Sequence, residues 1–250
     1  MSRLTEALTE LHFLDECAGG DSFYHRLHPA VRLAGTLIYI VSVASIGRFD
    51  VQGMILMALY PAVLLIAAEL PAGRLLGRSL WILPFLLFFA LPGLFFTPAA
   101  ASPVAGVAAA VALLMRGYLC VLAMLVYAAG SGIGGLAAGL AAFRVPPALV
   151  TLVVMTYRYI FLLVEDTLRL VRAYTLRSGG RRGIRAAEWG SLAGQLFLRT
   201  YDRAVRLHNS MLIRGFDGTF RRTAGQRPGI RDMMFLLVLV PFCLYMGLAR

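Results

Sequence analysis

Arg177 in AYTLRSGG (173–180) and Arg214 in SMLIRGFDG (210–218) each close a half-apolar, charged stretch that runs out into glycine. A guanidinium offers five N–H donors in a planar fork and keeps its proton at any physiological pH. Its chemistry is therefore recognition of carboxylates and exposed carbonyls, not acid–base catalysis. An arginine in a last helical turn with glycine after it is also ordinary capping chemistry, worth about 0.3–1 kcal/mol through the helix dipole. Capping alone does not call for the same residue on two successive, similarly built segments, so a docking role competes with it.

The other reactive side chains form no comparable pattern. His12, His25, His28 and His208 make no ligand cluster. His25 and His28 are three apart, but proline follows and no carboxylate or cysteine stands beside them. Cys17, Cys120 and Cys243 match no CxxC spacing, so neither a zinc site nor a disulfide framework is indicated. Glu165-Asp166 reads as balancing Arg169 and Arg172 through i, i+4 and i, i+3 contacts. Glu69 stands alone near the end of an apolar run. An intramembrane enzyme would need a Ser/His pair, paired aspartates or a His–Glu cluster at membrane depth, and the apolar runs hold none. All 24 basic residues are arginine; without lysine a Walker A loop cannot reach nucleotide phosphates.

The elements that carry the two arginines belong to a membrane protein. Of the 250 residues 59% are hydrophobic and 15% charged, and the mean hydropathy is +0.75. A soluble domain needs more polar surface. The net charge of +11 would suggest nucleic acid in a soluble chain. Here the arginines sit between and after apolar runs, as the positive-inside rule requires, and no nucleic-acid role follows. Five runs have the roughly 17–25 residues that cross a bilayer: 31–47, 51–70, 80–96, 104–130 and 233–248. Arg26 before the first run and Arg32 at its very start, and Arg74 and Arg78 between the second and third, put those places in the cytoplasm. The uncharged TPAAASP (97–103) lies outside, which gives a cytoplasmic N-terminus. The opening MSRLTEALTELHFLDE is acidic and amphipathic, unlike a cleaved signal. Arg116 falls near the middle of the fourth run. Either it faces the interior or a polar partner, or the run is two pieces joined near Met115.

The expected organisation is 1–130 (N-terminal segment and four spans), 131–232 (cytoplasmic coupling-helix region) and 233–250 (last span). From Ser131 the chain is rich in small residues, with Gly135 and Gly139 in a GxxxG spacing. Pro146-Pro147 then suits a helix start, and 16 of the 24 arginines lie between Arg144 and Arg231. The spacing predicts a helix over 147–177 with Tyr157, Phe161, Val164, Leu168 and Val171 on one stripe, and Arg158, Glu165, Arg169 and Arg172 on another. A second helix is expected from about Glu188 to Arg214, after the basic linker SGGRRGIR. Trp189, Leu192, Leu196, Ala204, Leu207 and Met211 form its apolar side; Arg199, Asp202, Arg203 and Arg206 form its polar side. Neither is expected to be apolar enough to cross the bilayer; each suits an interface, its sister helix or a soluble partner. The fold class is thus an all-α integral membrane protein, with about five transmembrane helices and two or three long cytoplasmic amphipathic helices inserted before the last span.

Three segments carry a family resemblance: LDECAGGDSFYHRLHPAVRLAGTL, FRVPPALVTLVVMTYRYIFLLVEDTLRLVRAYTLRSG and YDRAVRLHNSMLIRGFDG. Together they resemble the transmembrane T component of energy-coupling-factor (ECF) transporters, in its cobalt/nickel, CbiQ-type branch. The resemblance implies a multi-pass protein of a bacterial inner (plasma) membrane that is no enzyme, holds no cofactor and has no metal site. Its implied partners are two ABC-type ATPase subunits at the cytoplasmic face, a substrate-binding membrane subunit, with or without a small accessory membrane subunit, and the lipid bilayer. In that family two coupling helices cross and dock by arginine motifs into grooves on the ATPases. The corresponding residues here are Leu176-Arg177-Ser178 and Ile213-Arg214-Gly215. Both depart from a strict Ala-Arg-Gly, the first in both flanking residues and the second in its first. A vitamin-transporting T component and another multi-span scaffold or permease stand as alternatives.

Overall fold

The computed structural model describes residues 19–20, 22–46, 51–95, 103–178, 185–218 and 229–248. The described residues are overwhelmingly helical. In chain order the helices are α1 (Pro29–Ser45), α2 (Val51–Met57), α3 (Leu59–Ala67), α4 (Ala72–Leu80), α5 (Leu83–Phe95), α6 (Pro103–Ala142), α7 (Pro147–Arg177), α8 (Ala186–Ile213) and α9 (Ile230–Leu248). They fall into two compact units, one built on Arg144–Thr223 and the other on Phe13–Phe143 with Ala224–Arg250. Cys17, His12 and the linker residues 179–184 lie outside the described residues.

In the larger unit α6 is the central element, packed along α1 and α5 and touching α2, α3 and α4, while α9 lies on α1. Tyr39, Val43, Met54, Met57, Ala123 and Val126 are fully enclosed between them. The apolar run 51–70, expected as one span, is two short helices meeting at Ala58. The cause is Pro61, which has no N–H for the carbonyl of Met57, four residues back. The Tyr39 hydroxyl donates to that carbonyl at 3.0 Å, and the Tyr39 ring stacks on Tyr60 at 4.3 Å. The stretch with Arg74 and Arg78, read as lying between two spans, is the helix α4, which buries Leu75 and Ser79.

The fourth run is a single helix through Met115, and it continues well past Gly130 to Ala142. Arg116 takes the first of its two expected roles: its guanidinium donates to the carbonyl of Ile46, which closes the C-terminus of α1. The interruption in α6 comes instead at Gly132, with φ 56° and ψ −179°, a backbone open to glycine and strained for anything else. Beside it, Arg32 donates to the carbonyl of Gly130 at 3.0 Å and lies 5.4 Å over the Tyr24 ring. Read from the sequence as a cytoplasmic flank, Arg32 is only 7% exposed. The Tyr24 phenol is pushed up to about 12 by burial, so it stays neutral beside that cation. The GxxxG pair does bring helices close: a Cβ at Gly139 would stand 3.1 Å from Leu33 and 3.3 Å from the Pro29 carbonyl.

The start of α1 is fastened from both sides. The His28 imidazole Nδ1 accepts from Ala30 N at 3.2 Å, capping the helix whose first residue is Pro29. The carboxylate of Asp232, in the first turn of α9, accepts from His28 N at 2.7 Å and from Gly229 N at 2.8 Å. Residues distant in the chain thus share one buried carboxylate, which a window-by-window reading cannot see.

By length and composition, three stretches among the described residues suffice to cross a membrane: Ala72–Leu91, Gly106–Ala142 and Pro147–Arg177. Pro29–Ser45 and Gly53–Ala67, the latter running through α2 and α3, are shorter apolar stretches. The third stretch corrects the expectation for α7. Its N-terminal part, PALVTLVVMTYRYIFLLV, is apolar enough, and the charges gather in the C-terminal half.

Candidate functional site

The smaller unit is the helix pair α7 and α8. Pro146 and Pro147 start α7, since proline at the first helical position costs no hydrogen bond. The helix runs to Arg177, where Ser178 N bonds the Tyr174 carbonyl and Ser178 Oγ donates to Thr175 O. The glycines expected to cap it, Gly179 and Gly180, lie outside the described residues. At the end of α8 the expected glycine cap is present. Gly215 has φ +78°, its N–H bonds Leu212 O at 2.9 Å, and Phe216 N reaches back to Met211 O at 3.0 Å. These two bonds form a Schellman motif, which satisfies carbonyls that a helix end otherwise leaves open.

The two helices cross in opposed directions. The early part of α7 faces the late part of α8 across a cavity of about 570 Å³, lined by Leu152, Met155, Tyr159, Leu207 and Met211 among others. On the other side of the crossing, the late part of α7 faces the early part of α8 across about 200 Å³, lined by Leu170, Tyr174, Arg177, Glu188 and Arg199. Between the two cavities Asp166 accepts from Arg203 at 2.9 Å. The Asp166 side chain is 13% exposed. Of the two pairings expected for Glu165-Asp166, the one to Arg169 is present, at 3.5 and 3.9 Å, whereas Arg172 lies six and seven residues on, out of i, i+4 reach. The bridge to Arg203 on the sister helix leaves no mark in the sequence, because no local spacing links positions 166 and 203.

The apolar stripe read on α7 from its spacing is not the line that meets α8. At about 100° per residue, Met155, Tyr159, Leu163, Asp166, Leu170 and Tyr174 share the line that faces α8, and Tyr157, Phe161, Val164, Leu168 and Val171 fall on the opposite side. Tyr157 and Phe161 pack edge to face on that side, at 5.2 Å. Two candidate stripes coexist on a helix this apolar, and periodicity alone cannot say which one meets α8. On α8, Trp189 and Ala204 are exposed, whereas Leu192, Leu196, Leu207 and Met211 are half-buried.

Arg177 and Arg214 sit at the far ends of this pair. Both are exposed, and neither forms an ion pair with any described residue, whereas Arg169 and Arg203 do. Each is preceded by an aliphatic side chain held out in the open: Leu176 is 84% exposed and Ile213 is 87% exposed. An apolar tip beside an unpaired planar cation is a surface suited to a protein groove that carries carboxylates or helix-end carbonyls. Ser178 and Gly215, the third members of the two motifs, are taken up in closing their helices.

The larger unit offers less to chemistry. His28 is used as a cap, Cys243 is buried in the core and Cys120 is half-buried. Among the described residues no three His, Cys, Asp or Glu side chains come together as a metal cluster.

With this geometry in view, the similarity to known proteins is specific. The family model for the cobalt transport protein CbiQ matches residues 20–224, a stretch that takes in α1 to α8. The chain belongs to the CbiQ family. The family is described as that of a cobalt transport protein. This CbiQ-family chain is 30% identical over 137 residues to the cobalt transport protein CbiQ of Rhodobacter capsulatus, covering 54% of this chain and 55% of that one. It is 32% identical over 101 residues to the nickel permease LarQ of Lactiplantibacillus plantarum, covering 40% and 37%. It is also 32% identical over 95 residues to an uncharacterized protein of Methanocaldococcus jannaschii, covering 37% and 32%. The matches thus span between about a third and just over half of these relatives' lengths.

Proposed function

We propose that this chain is the energy-coupling transmembrane subunit of an ATP-driven importer of a transition-metal cation, cobalt or nickel. In this reading it carries the motion of two cytoplasmic ATPase subunits to a separate substrate-binding membrane subunit. The observation that supports it best is the pair of exposed arginines, Arg177 and Arg214, each beside an exposed aliphatic residue, at opposed ends of two crossed helices. Two such tips suit a partner that presents two like grooves.

The proposed sequence of events is mechanical. Leu176-Arg177-Ser178 and Ile213-Arg214-Gly215 seat in the two ATPases, and closure of the ATPases carries the helix ends with it. The helices α7 and α8 act as levers on the substrate-binding subunit. No ATP is bound or hydrolysed by this chain itself, in keeping with the absence of lysine. The metal is cargo, and its selection belongs to the other membrane subunit. The names of the relatives favour cobalt or nickel as that cargo over a vitamin.

Each charge-assisted arginine contact is worth about 1.5–3 kcal/mol, or roughly 10- to 150-fold in affinity. Arg177→Ala and Arg214→Ala together should therefore remove the ATPases during co-purification and abolish uptake of labelled cobalt and nickel. Full retention of both the complex and uptake would sink the reading.

A further inference from the structure

We infer that the Asp166–Arg203 ion pair is the pivot of the α7–α8 lever, a positioning pair that fixes the spacing of the two arginine tips. The inference rests on the coupling role proposed above for Arg177 and Arg214. Three observations carry it.

The first is register. Arg177 lies 11 residues beyond Asp166 (177 − 166), and Arg214 lies 11 residues beyond Arg203 (214 − 203). Eleven residues are about three helical turns, or roughly 16 Å along each axis. Each tip therefore returns to within about 20° of the line on which its own pivot residue sits. The two arms are equal in length and phase, although the sequences along them differ.

The second is the shape of the contact. The crossing is narrow, with the 570 Å³ cavity on one side and the 200 Å³ cavity on the other. Two helices in extended ridge-and-groove packing would resist a change of crossing angle. Here open wedges flank a short contact, so the helices can scissor while the polar bridge holds their register.

The third is chemistry. Asp166 is largely withdrawn from solvent and its bridge is short, at 2.9 Å, while Arg203 is 40% exposed. Among the described residues this is the ion pair that joins the two helices; the Arg169 pairs stay within α7. Apolar contacts around it allow sliding, whereas a guanidinium held on a carboxylate defines one register. A pair open to water on its Arg203 side is screened by solvent and adds little to stability, so its value lies in geometry.

The test uses the full chain assembled with its ATPase and substrate-binding subunits in proteoliposomes. Asp166→Asn, Arg203→Gln and the double variant are compared with Arg172→Gln, which removes one charge from the same helix away from the crossing. The two singles are expected to keep the ATPases on co-purification but to lower labelled metal taken up per ATP hydrolysed by about fivefold or more. The double variant should be no worse than either single, since all three remove one shared interaction. Arg172→Gln should match wild type.

A second readout needs no partner. Spin labels at Leu176→Cys and Ile213→Cys, in a full chain whose native cysteines are replaced, should show a narrow distance distribution that broadens in Asp166→Asn. The inference is overturned by wild-type uptake per ATP with an unchanged distribution in Asp166→Asn, by additive effects in the double variant, or by an equal loss in Arg172→Gln. Loss of the ATPases from Asp166→Asn would also overturn it, by making the pair a docking element. Failure of the coupling reading itself shows separately, as retention of the ATPases by the Arg177→Ala/Arg214→Ala variant.

Discussion

Arg32 and Arg116 both turn a guanidinium onto a backbone carbonyl, Arg32 beside the break in α6 and Arg116 at the C-terminus of α1. A cation suits such places because unpaired carbonyls carry partial negative charge. Arg32 is the more enclosed of the two, and its loss would leave the Gly130 carbonyl without this donor. Arg32→Ala is expected to destabilise the chain by about 1.5–3 kcal/mol, the usual worth of a hydrogen bond to a charged group. Arg32→Lys, which keeps a cation over Tyr24 but loses the planar fork, should recover part of that. Thermal unfolding of the purified protein in detergent checks both. The charge rule takes Arg32 only as a cytoplasmic flank of the first apolar run, because that rule counts residues near apolar runs and is blind to where the guanidinium points.

At the scale of elements, two glycines hold positions that other residues strain. Gly132 interrupts α6 and Gly215 closes α8, both at positive φ. A Cβ at Gly215 would meet nothing within 4 Å, so the cost of replacing it comes from the backbone alone. Gly215→Ala is expected to weaken the end of α8 by about 1 kcal/mol, and Gly215→Asn by less, since asparagine tolerates the left-handed region. Hydrogen exchange of the Phe216 amide would register the difference. Gly132→Ala is the harsher change, at about 1–3 kcal/mol, and it should appear as a lowered unfolding temperature. The extents of α7 and α8 were legible in the sequence to within about two residues, because the Pro146-Pro147 start of α7 and the Arg214-Gly215 end of α8 are local signals. The division of 51–70 is equally local in its cause, Pro61, but the donor that takes up the freed Met57 carbonyl, the Tyr39 hydroxyl, comes from another helix.

For the whole molecule, the two tips should act together but not redundantly. Arg177→Ala and Arg214→Ala taken singly are expected to weaken ATPase association by roughly 10-fold or more each, and the double variant to abolish it. Because the tips are exposed cations, the single variants should also shed ATPases at lower salt than wild type does. At 1 M salt the screening length falls to about 3 Å, from about 10 Å at 0.1 M. Size-exclusion chromatography across a salt series measures this. Association that is equally salt-resistant in wild type and both single variants would remove electrostatics from the docking.

Composition, proline and glycine placement and the arginine distribution were enough to determine the all-α membrane class, the extents of the two long helices and their terminal arginines. Those are properties of windows a few turns long, within which backbone capping and hydropathy act. Only the tertiary structure decided which face of α7 meets α8, that Asp166 reaches Arg203, that Arg32 is buried, and that Asp232 fastens the start of α1. Each of these depends on what stands across a gap of many residues, and a helix that is apolar on two sides carries no local mark of which neighbour it will take.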